Sequence, residues 1–268
     1  MRPTRQQAAP AARVVREAPL AGDVPIHVHP VWQRDWPWLV QGTTGRGPDA
    51  EPFDLGLSGS TSVGTVFGRW RALRGATGCP RAVHSRQVHG ARILAHDAGP
   101  PGLFITDGFD GHITAAAGLL LTVSIADCVP IFLVEPEQRA IAVLHGGWRG
   151  VAAGVLQRGL DALAALGVDV ARIHMHLGPA ICGDCYEVGA EVPAALGLEA
   201  GAGTVDLRGE LQRRAQASGL DATRLTRSAH CTRCGGTGDA VVGTARRAFF
   251  SHRAGEPQRQ MAVIGIRE

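Results

Sequence analysis

The chain has 268 residues, 45% of them hydrophobic and 19% charged, with a formal net charge of +3. This length and composition allow a sizeable buried core and exclude a wholly disordered protein. The slight positive charge favours weak attraction of anions, but there is no clustered basic face, so no nucleic-acid partner is expected. The most apolar stretch, residues 118–134, contains Asp127 and Pro130. It is too short and too polar to span a membrane. With no apolar signal core at the N-terminus, no membrane partner and a cytoplasmic location are expected.

Lysine and asparagine are absent from the whole chain, so every positively charged side chain other than histidine is arginine. Catalysis by a lysine Schiff base or a lysine base is therefore excluded. An anion must be held by arginine, histidine or backbone amides. Six cysteines in a chain of this length do not indicate a disulfide-rich secreted fold.

Residues 1–24 are rich in Ala, Arg and Pro, which predicts a disordered tail. A transit peptide is the alternative, but Glu17 and Asp23 argue against it. Residues 25–268 show neither a linker nor a repeat, so a single domain is expected.

Short apolar runs separated by glycine-rich turns predict strands, whereas two segments have helical periodicity. The strands or strand pairs are predicted at residues 82–95, 118–125, 129–134, 140–145 and 172–177, and the helices at residues 151–167 and 208–219. Strands without strict helix alternation indicate an α/β or α+β fold with mixed sheets.

Three short segments each place a candidate metal ligand at the edge of a strand. They are RQVHG with His89, IADCVP with Cys128 and VLHGGWRG with His145. Two imidazoles and one thiolate suit zinc and leave a fourth position for water or substrate. The three segments are far apart in the chain, however. Spacing alone leaves open a turn histidine, a buried cysteine and a core histidine.

A rival metal site is offered by two CxxC pairs, CGDC at residues 182–185 and CTRC at residues 231–234. Four thiolates form a structural zinc site when they converge. The gap between the pairs is longer than in compact zinc ribbons, so a redox pair also stays open.

Two His-x-His pairs, His27 with His29 and His174 with His176, lie in strand-like segments. Alternation places the histidines of each pair on one face, and a solvent-facing position is expected for both pairs.

The segments RQVHG, TDG…DGHIT, ADCVPIFLV, HGGWRG, GPAICGDCYEVG and FFSHRAGEPQRQMAVIGI occur in the order typical of the YfiH-like family. The resemblance covers roughly residues 37–268. The family was first labelled multicopper polyphenol oxidase (laccase-like) and later purine nucleoside phosphorylase with adenosine deaminase activity. It implies a sandwich of two mixed sheets flanked by helices, similar to cytotoxic necrotising factor deamidases.

The resemblance also implies site residues. By its motifs, His89, Cys128 and His145 hold a catalytic zinc, with copper as the alternative metal. It places residues 185–187 in a turn near the pocket, which makes Cys182 incidental and weakens the four-thiolate interpretation. The substrate-binding residues expected on this basis are Arg46, Cys185, Glu187 and Arg253.

The expected substrates are a purine nucleoside and phosphate, with Arg46 or Arg253 holding the phosphate and a monomer favoured. The general acid stays open between Glu187 and Asp127, and Arg149 is expected to brace its loop. Four alternatives remain: deamination by a metal-bound hydroxide, a copper polyphenol oxidase, a cysteine hydrolase that edits cell-wall precursors, and a structural zinc domain.

Overall fold

The computed structural model describes residues 12–199, 201–235 and 247–268. Two seven-stranded sheets, each with parallel and antiparallel neighbours, carry helices on their outer faces. This confirms the expected fold class. No helix of the described part of the chain is both long enough and apolar enough to cross a membrane.

The strands are β1 (Arg13–Val15), β2 (Ala18–Pro19), β3 (Ile26–Val28), β4 (Leu39–Thr44), β5 (Arg81–Arg86), β6 (Ile93–Ala95), β7 (Gly102–Asp107), β8 (Gly111–Thr114), β9 (Leu119–Ile125), β10 (Val129–Glu135), β11 (Ala140–Gly146), β12 (His174–Leu177), β13 (Glu187–Val188), β14 (Gly203–Thr204), β15 (Leu225–Ser228) and β16 (Gln260–Ile266). The α-helices are α1 (Pro30–Asp35), α2 (Val63–Thr77), α3 (Trp148–Ala152), α4 (Val155–Ala165), α5 (Glu191–Leu196) and α6 (Leu207–Ala217). Short 3₁₀ turns cover Val170–Arg172, Gly183–Cys185, Ala222–Arg224 and His252–Ala254.

The first sheet has the order β1-β15-β12-β10-β11-β8-β6, and the second has the order β2-β3-β4-β16-β9-β5-β7. Strand β10 shows how the layers form. Ile131 and Leu133 pack under the helices, whereas Phe132 and Val134 pack against the second sheet. A strand buried on both faces is apolar at every position instead of alternating, as the run VPIFLV is.

The chain crosses between the sheets at two places that matter for function. It passes from β5 in the second sheet to β6 in the first through the QVHG loop, and from β9 to β10 through Asp127 and Cys128. Both crossings place loop residues at the ends of strands, where a cleft can form between the sheets.

A disordered tail was expected over residues 1–24, but its described part, residues 12–24, contains two paired strands. Strand β1 pairs in parallel with β15, and β2 pairs with β3. The segment is held by Glu17, which is 3% exposed and accepts hydrogen bonds from His176 Nε2 at 2.9 Å and Ser228 Oγ at 2.8 Å. The composition of this segment, poor in large apolar groups, did not predict that a buried glutamate would hold it in place. Residues 1–11 lie outside the described residues.

The solvent-facing interpretation of the His-x-His pairs was wrong for two of the four side chains. His176 is fully buried against Glu17, and His29 is 1% exposed and caps α1 by accepting the amide of Trp32. The predicted helix over residues 151–167 is also two helices, because Gly154 at φ +83° separates α3 from α4.

Candidate active site

The three predicted ligands, His89, Cys128 and His145, converge although they are distant in sequence. One donor atom from each lies within 4.8 Å of the others. His145 belongs to the end of β11, while His89 and Cys128 belong to the two crossing loops. The loops therefore bring an exposed imidazole, a half-buried thiol and a buried imidazole to one point.

His89 has a left-handed backbone at φ +58°, which is uncommon for a residue other than glycine. The Asp110 carboxylate stabilises this turn by accepting the amides of Val88, His89 and Gly90 at 3.2, 2.9 and 2.8 Å. The conformation of the loop is thus fixed by a side chain at the start of β8. Strain held by surrounding contacts is typical of functional sites.

Asp110 also orients the second imidazole. Its Oδ1 accepts a hydrogen bond from His145 Nδ1 at 2.9 Å, and Asp110 itself is fully buried. An ionised carboxylate only accepts hydrogen bonds, so Nδ1 carries a proton and Nε2 is the ring nitrogen left for the cluster. Burial raises the pKa of Asp110, but hydrogen bonds from His145 and Gly90 lower it below its usual value, which keeps the carboxylate charged.

The thiol and the buried imidazole perturb each other. Burial raises the pKa of the Cys128 thiol, but the charge of His145 and hydrogen bonds from His145 and His89 lower it to about 6. Burial lowers the pKa of His145, but the charge of Cys128 and the hydrogen bond to Asp110 raise it to about 9. Near neutral pH the pair therefore favours a thiolate, the form that binds metals and attacks electrophiles.

The glycines of HGGWRG allow the close approach of the three ligands. A Cβ at Gly147 would lie 2.8 Å from His89 Cδ2 and 3.2 Å from Cys128 Sγ. A Cβ at Gly150 would lie 2.8 Å from the carbonyl oxygen of Gly90. The guanidinium of Arg149 is placed over the Trp148 ring, 4.2 Å from its centroid.

A cleft of about 870 Å³ opens over the three ligands. Its volume lies within the range of small-molecule sites, about 300–1,000 Å³. Its polar lining includes Ser85, Gln87, Ser124, His252 and Arg259. Gln87 is held in place by two hydrogen bonds to Ser124. Its Oε1 accepts the Ser124 amide at 2.7 Å, and its Nε2 donates to the Ser124 carbonyl at 3.0 Å.

The four predicted substrate-binding residues are placed beside this cleft or farther away, and none of them belongs to its described lining. Arg46 forms an ion pair with Glu256 at 2.7 Å, and Glu256 does line the cleft. Arg253 donates from Nη1 to the carbonyl of Glu187 at 2.8 Å, and Glu187 itself is exposed on β13. Cys185 lies in a cysteine cluster.

That cluster corrects the interpretation of Cys182 as incidental. Cys182, Cys185, Cys231 and Cys234 place their sulfur atoms within 4.8 Å of one another. The two CxxC segments meet because the bridge between Ala180 and Cys231 aligns them in parallel. Sequence separation between the pairs was therefore a poor guide to their distance in space.

Asp110, which contacts two of the candidate ligands, was left unassigned by sequence reasoning, although it lies within the DGHIT segment. Asp127 was considered as a general acid, but its carboxylate accepts the Thr232 hydroxyl at 2.5 Å and the Arg253 amide at 2.6 Å. The signal that could have identified Asp110 is a carboxylate immediately before a strand, β8, that pairs with the strand carrying His145.

Two mixed sheets with an imidazole–thiolate cluster at their crossing loops describe the YfiH-like class, and comparison with known proteins agrees. A family model described as multi-copper polyphenol oxidoreductase laccase matches residues 42–267, and the chain belongs to this family. The crystal structure of a hypothetical protein YfiH from Bacillus licheniformis superposes with a TM-score of 0.78 at 22% identity, covering 90% of this chain and 96% of that one.

Two curated relatives carry names that describe an activity. A purine nucleoside phosphorylase from Deinococcus radiodurans is 35% identical over 185 residues, 67% of this chain and 68% of the relative. Adenosine deaminase RL5, from an unknown prokaryotic organism, is 33% identical over 171 residues, 57% of this chain and 65% of the relative. These names support an enzyme of the purine nucleoside phosphorylase type at the level of the family.

Proposed function

We propose that this chain is a metal-dependent enzyme that cleaves purine nucleosides by phosphorolysis. The observation that carries the proposal is the convergence of His89, Cys128 and His145 within 4.8 Å, in a cleft of nucleoside size. The name of the Deinococcus relative supports the same substrate class.

The donor set fits a zinc ion, with copper as the second choice. Two imidazole nitrogens and a thiolate are preferred zinc ligands, and an exposed His89 leaves one side open to the cleft. The absent side chain at Gly147 leaves room beside His89 and Cys128. When bound there, the metal supplies Lewis-acid chemistry and can lower the pKa of a water molecule.

In phosphorolysis, an oxygen of H₂PO₄⁻ forms a bond to C1′ of the ribose while the bond between C1′ and N9 breaks. The electron pair of that bond passes to the purine, which takes up the proton that the phosphate releases. The products are the free base and ribose 1-phosphate. The chain must therefore hold an anion next to an uncharged sugar.

Arg259, His252 and Arg86 supply the positive or hydrogen-bonding groups of the cleft lining. Arg259 is the best candidate for phosphate binding, because its Nη1 is anchored on the carbonyls of Pro257 and Gln258 at 2.8 and 2.9 Å. A guanidinium held in place loses less entropy when it binds an oxyanion. Arg86 is a weaker candidate, since it already binds Asp107 through two hydrogen bonds.

A second candidate function is a cysteine hydrolase, and one observation favours it. Cys128, His145 and Asp110 interact in series, as a nucleophile, a base and an orienting carboxylate do. The thiolate would then act without a metal. Chelation separates the two candidates, because a cysteine hydrolase keeps its activity when metal is removed.

The copper oxidase interpretation has less support. Multicopper sites need several histidine pairs, and His29 and His176 are engaged by Trp32 and Glu17 in the described structure.

The test is product identification with the purified full-length chain. Inosine and adenosine are each incubated with and without phosphate, beside Cys128→Ala. Free base and ribose 1-phosphate formed only with phosphate, and lost in the variant, support the proposal. Ammonia released from adenosine without phosphate assigns a deaminase instead, and the absence of base and ammonia from both nucleosides contradicts a purine nucleoside substrate.

A further inference from the structure

Four cysteines outside the candidate active site form a compact cluster. The 3₁₀ turn Gly183–Cys185 follows Cys182, and the segment after β15 carries Cys231 and Cys234. All six cysteines of the chain lie in the described residues and are thiols, so the four sulfur atoms are not used in disulfides. Cys182 Sγ and Cys234 Sγ are 3.9 Å apart. Zinc–sulfur bonds of about 2.3 Å place the sulfur atoms of a tetrahedron about 3.8 Å apart.

The backbone around Cys231 is shaped to hold a thiolate. Cys231 Sγ accepts the amide of Cys182 at 3.2 Å and the amide of Cys234 at 3.4 Å. The turn closes with a bond from the Gly235 amide to the Cys231 carbonyl at 2.9 Å, and Gly235 has φ +91°. A residue with a side chain rarely adopts that conformation, so the glycine allows the chain to fold back over the sulfur. Amides directed at sulfur favour the charged form.

A buried cation lies within electrostatic range of the cluster. Arg208 is 3% exposed, and its Nε has no hydrogen-bond partner among the described residues. Burial lowers the pKa of this guanidinium, whereas the negative charge of Asp206 opposes that effect. Four thiolates around a divalent ion carry a net charge of −2, which a neighbouring arginine offsets in part.

We propose that Cys182, Cys185, Cys231 and Cys234 bind one zinc ion through four thiolates. All four positions of the tetrahedron are filled by protein, so the site is structural and has no place for a substrate. This inference rests on the cysteine geometry and does not depend on the proposed function.

The zinc would join two loops that reach the candidate active site. Thr232, between the last two ligands, donates its hydroxyl to Asp127, the neighbour of Cys128. Ile181, next to Cys182, donates its amide to the Asp127 carbonyl at 3.0 Å. The loop that carries Cys128 is therefore held from both CxxC segments, and the zinc fixes its position.

The test is the zinc content of four purified proteins prepared with reductant and zinc: wild type, Cys128→Ala, Cys231→Ser and the double variant. The expected contents are two, one, one and zero ions per chain. Cys79→Ala, at the buried cysteine outside both clusters, is the matched control and keeps two ions. If Cys231→Ser fails to fold, X-ray absorption on Cys128→Ala replaces it, with four sulfur neighbours and no nitrogen expected around its single zinc.

The outcomes separate this inference from the proposed function. One zinc in wild type and in Cys128→Ala, lost in Cys231→Ser, supports the cysteine site and removes the active-site metal. A zinc content that Cys231→Ser leaves unchanged overturns the cysteine site. A wild type that binds no zinc under these conditions also overturns it.

Discussion

The carboxylate of Asp110 binds Nδ1 of His145 at 2.9 Å and at the same time accepts three backbone amides of the loop that carries His89. One buried side chain thus sets the tautomer of one candidate ligand and the backbone of another. Partners of this kind raise the basicity of a ligating imidazole and fix its orientation.

Replacing Asp110 by Asn is expected to weaken zinc binding at the active site by about 10–100-fold. The side-chain NH₂ of the asparagine cannot accept hydrogen bonds from the backbone amides of the loop. The asparagine side chain is also uncharged, so it does not stabilise a positive charge on His145. The measurement is a competition titration with a zinc chelator in the Cys231→Ser background. Asp97→Asn, at an exposed carboxylate, is the control. Equal affinity in both variants would contradict a positioning role for Asp110.

Gly147→Ala is expected to abolish nucleoside cleavage while leaving the fold intact. Its Cβ would come within 2.8 Å of His89 Cδ2, so the imidazole must move. The backbone at Gly147 has φ −74°, which alanine adopts readily, so the effect is steric and local. Gly64→Ala is the control, because open space surrounds that helical position. The readout is turnover together with the melting temperature, and normal turnover in Gly147→Ala would show that the glycine is not needed for the site.

Arg259→Gln is expected to raise the KM for phosphate by about 10–100-fold, as the loss of a charge-assisted hydrogen bond of about 1.5–3 kcal/mol implies. The KM for inosine should change little, because the nucleoside carries no charge. Arg34→Gln, at an exposed arginine that pairs with its neighbour Asp35, serves as control. A larger effect on inosine than on phosphate would assign Arg259 to the nucleoside.

Glu17 makes the free energy of unfolding depend on pH in the acidic range. Burial raises the pKa of its carboxyl, but hydrogen bonds from His176 and Ser228 lower it below its usual value. A carboxyl with a lowered folded-state pKa stabilises the protein above the unfolded-state value, about 4.3, and this contribution is lost as pH falls through the folded-state pKa.

Glu17→Gln is therefore expected to lower the free energy of unfolding at pH 7 by about 2 kcal/mol and by less at low pH. Chemical denaturation across the pH range measures this, with the exposed Glu51→Gln as control. A destabilisation that is the same at acidic and neutral pH would contradict the charged, hydrogen-bonded state of Glu17.

Local patterns predicted the parts of this protein that depend on near neighbours in sequence. The apolar run of β10 and the ligand at the end of β11 follow from runs of side chains and their turn residues. The partners of Asp110 and Glu17 do not, since Asp110 lies 35 residues from His145, and Glu17 lies 159 residues from His176. Such polar contacts form only when the sheets assemble. The hydrophobic periodicity of a sequence reports on near neighbours and does not predict them.

The cysteine cluster is a second case in which residues far apart in sequence meet in the fold. The long sequence gap between CGDC and CTRC argued against a shared site. The parallel bridge between Ala180 and Cys231 nevertheless brings the two segments side by side. The substrate-binding role of Cys185 rested on resemblance and stays a prediction. Its sulfur atom is one of the four in the cluster.

The most direct test of the central claim is the release of hypoxanthine from inosine and phosphate by wild type, His145→Ala and His174→Ala. His174 is a half-buried histidine of β12 that binds Arg224, away from the three ligands. Phosphate-dependent release by wild type and His174→Ala, reduced at least about 1,000-fold in His145→Ala, is the predicted result. Undiminished release by a folded His145→Ala would contradict the assignment of His89, Cys128 and His145 as the catalytic centre.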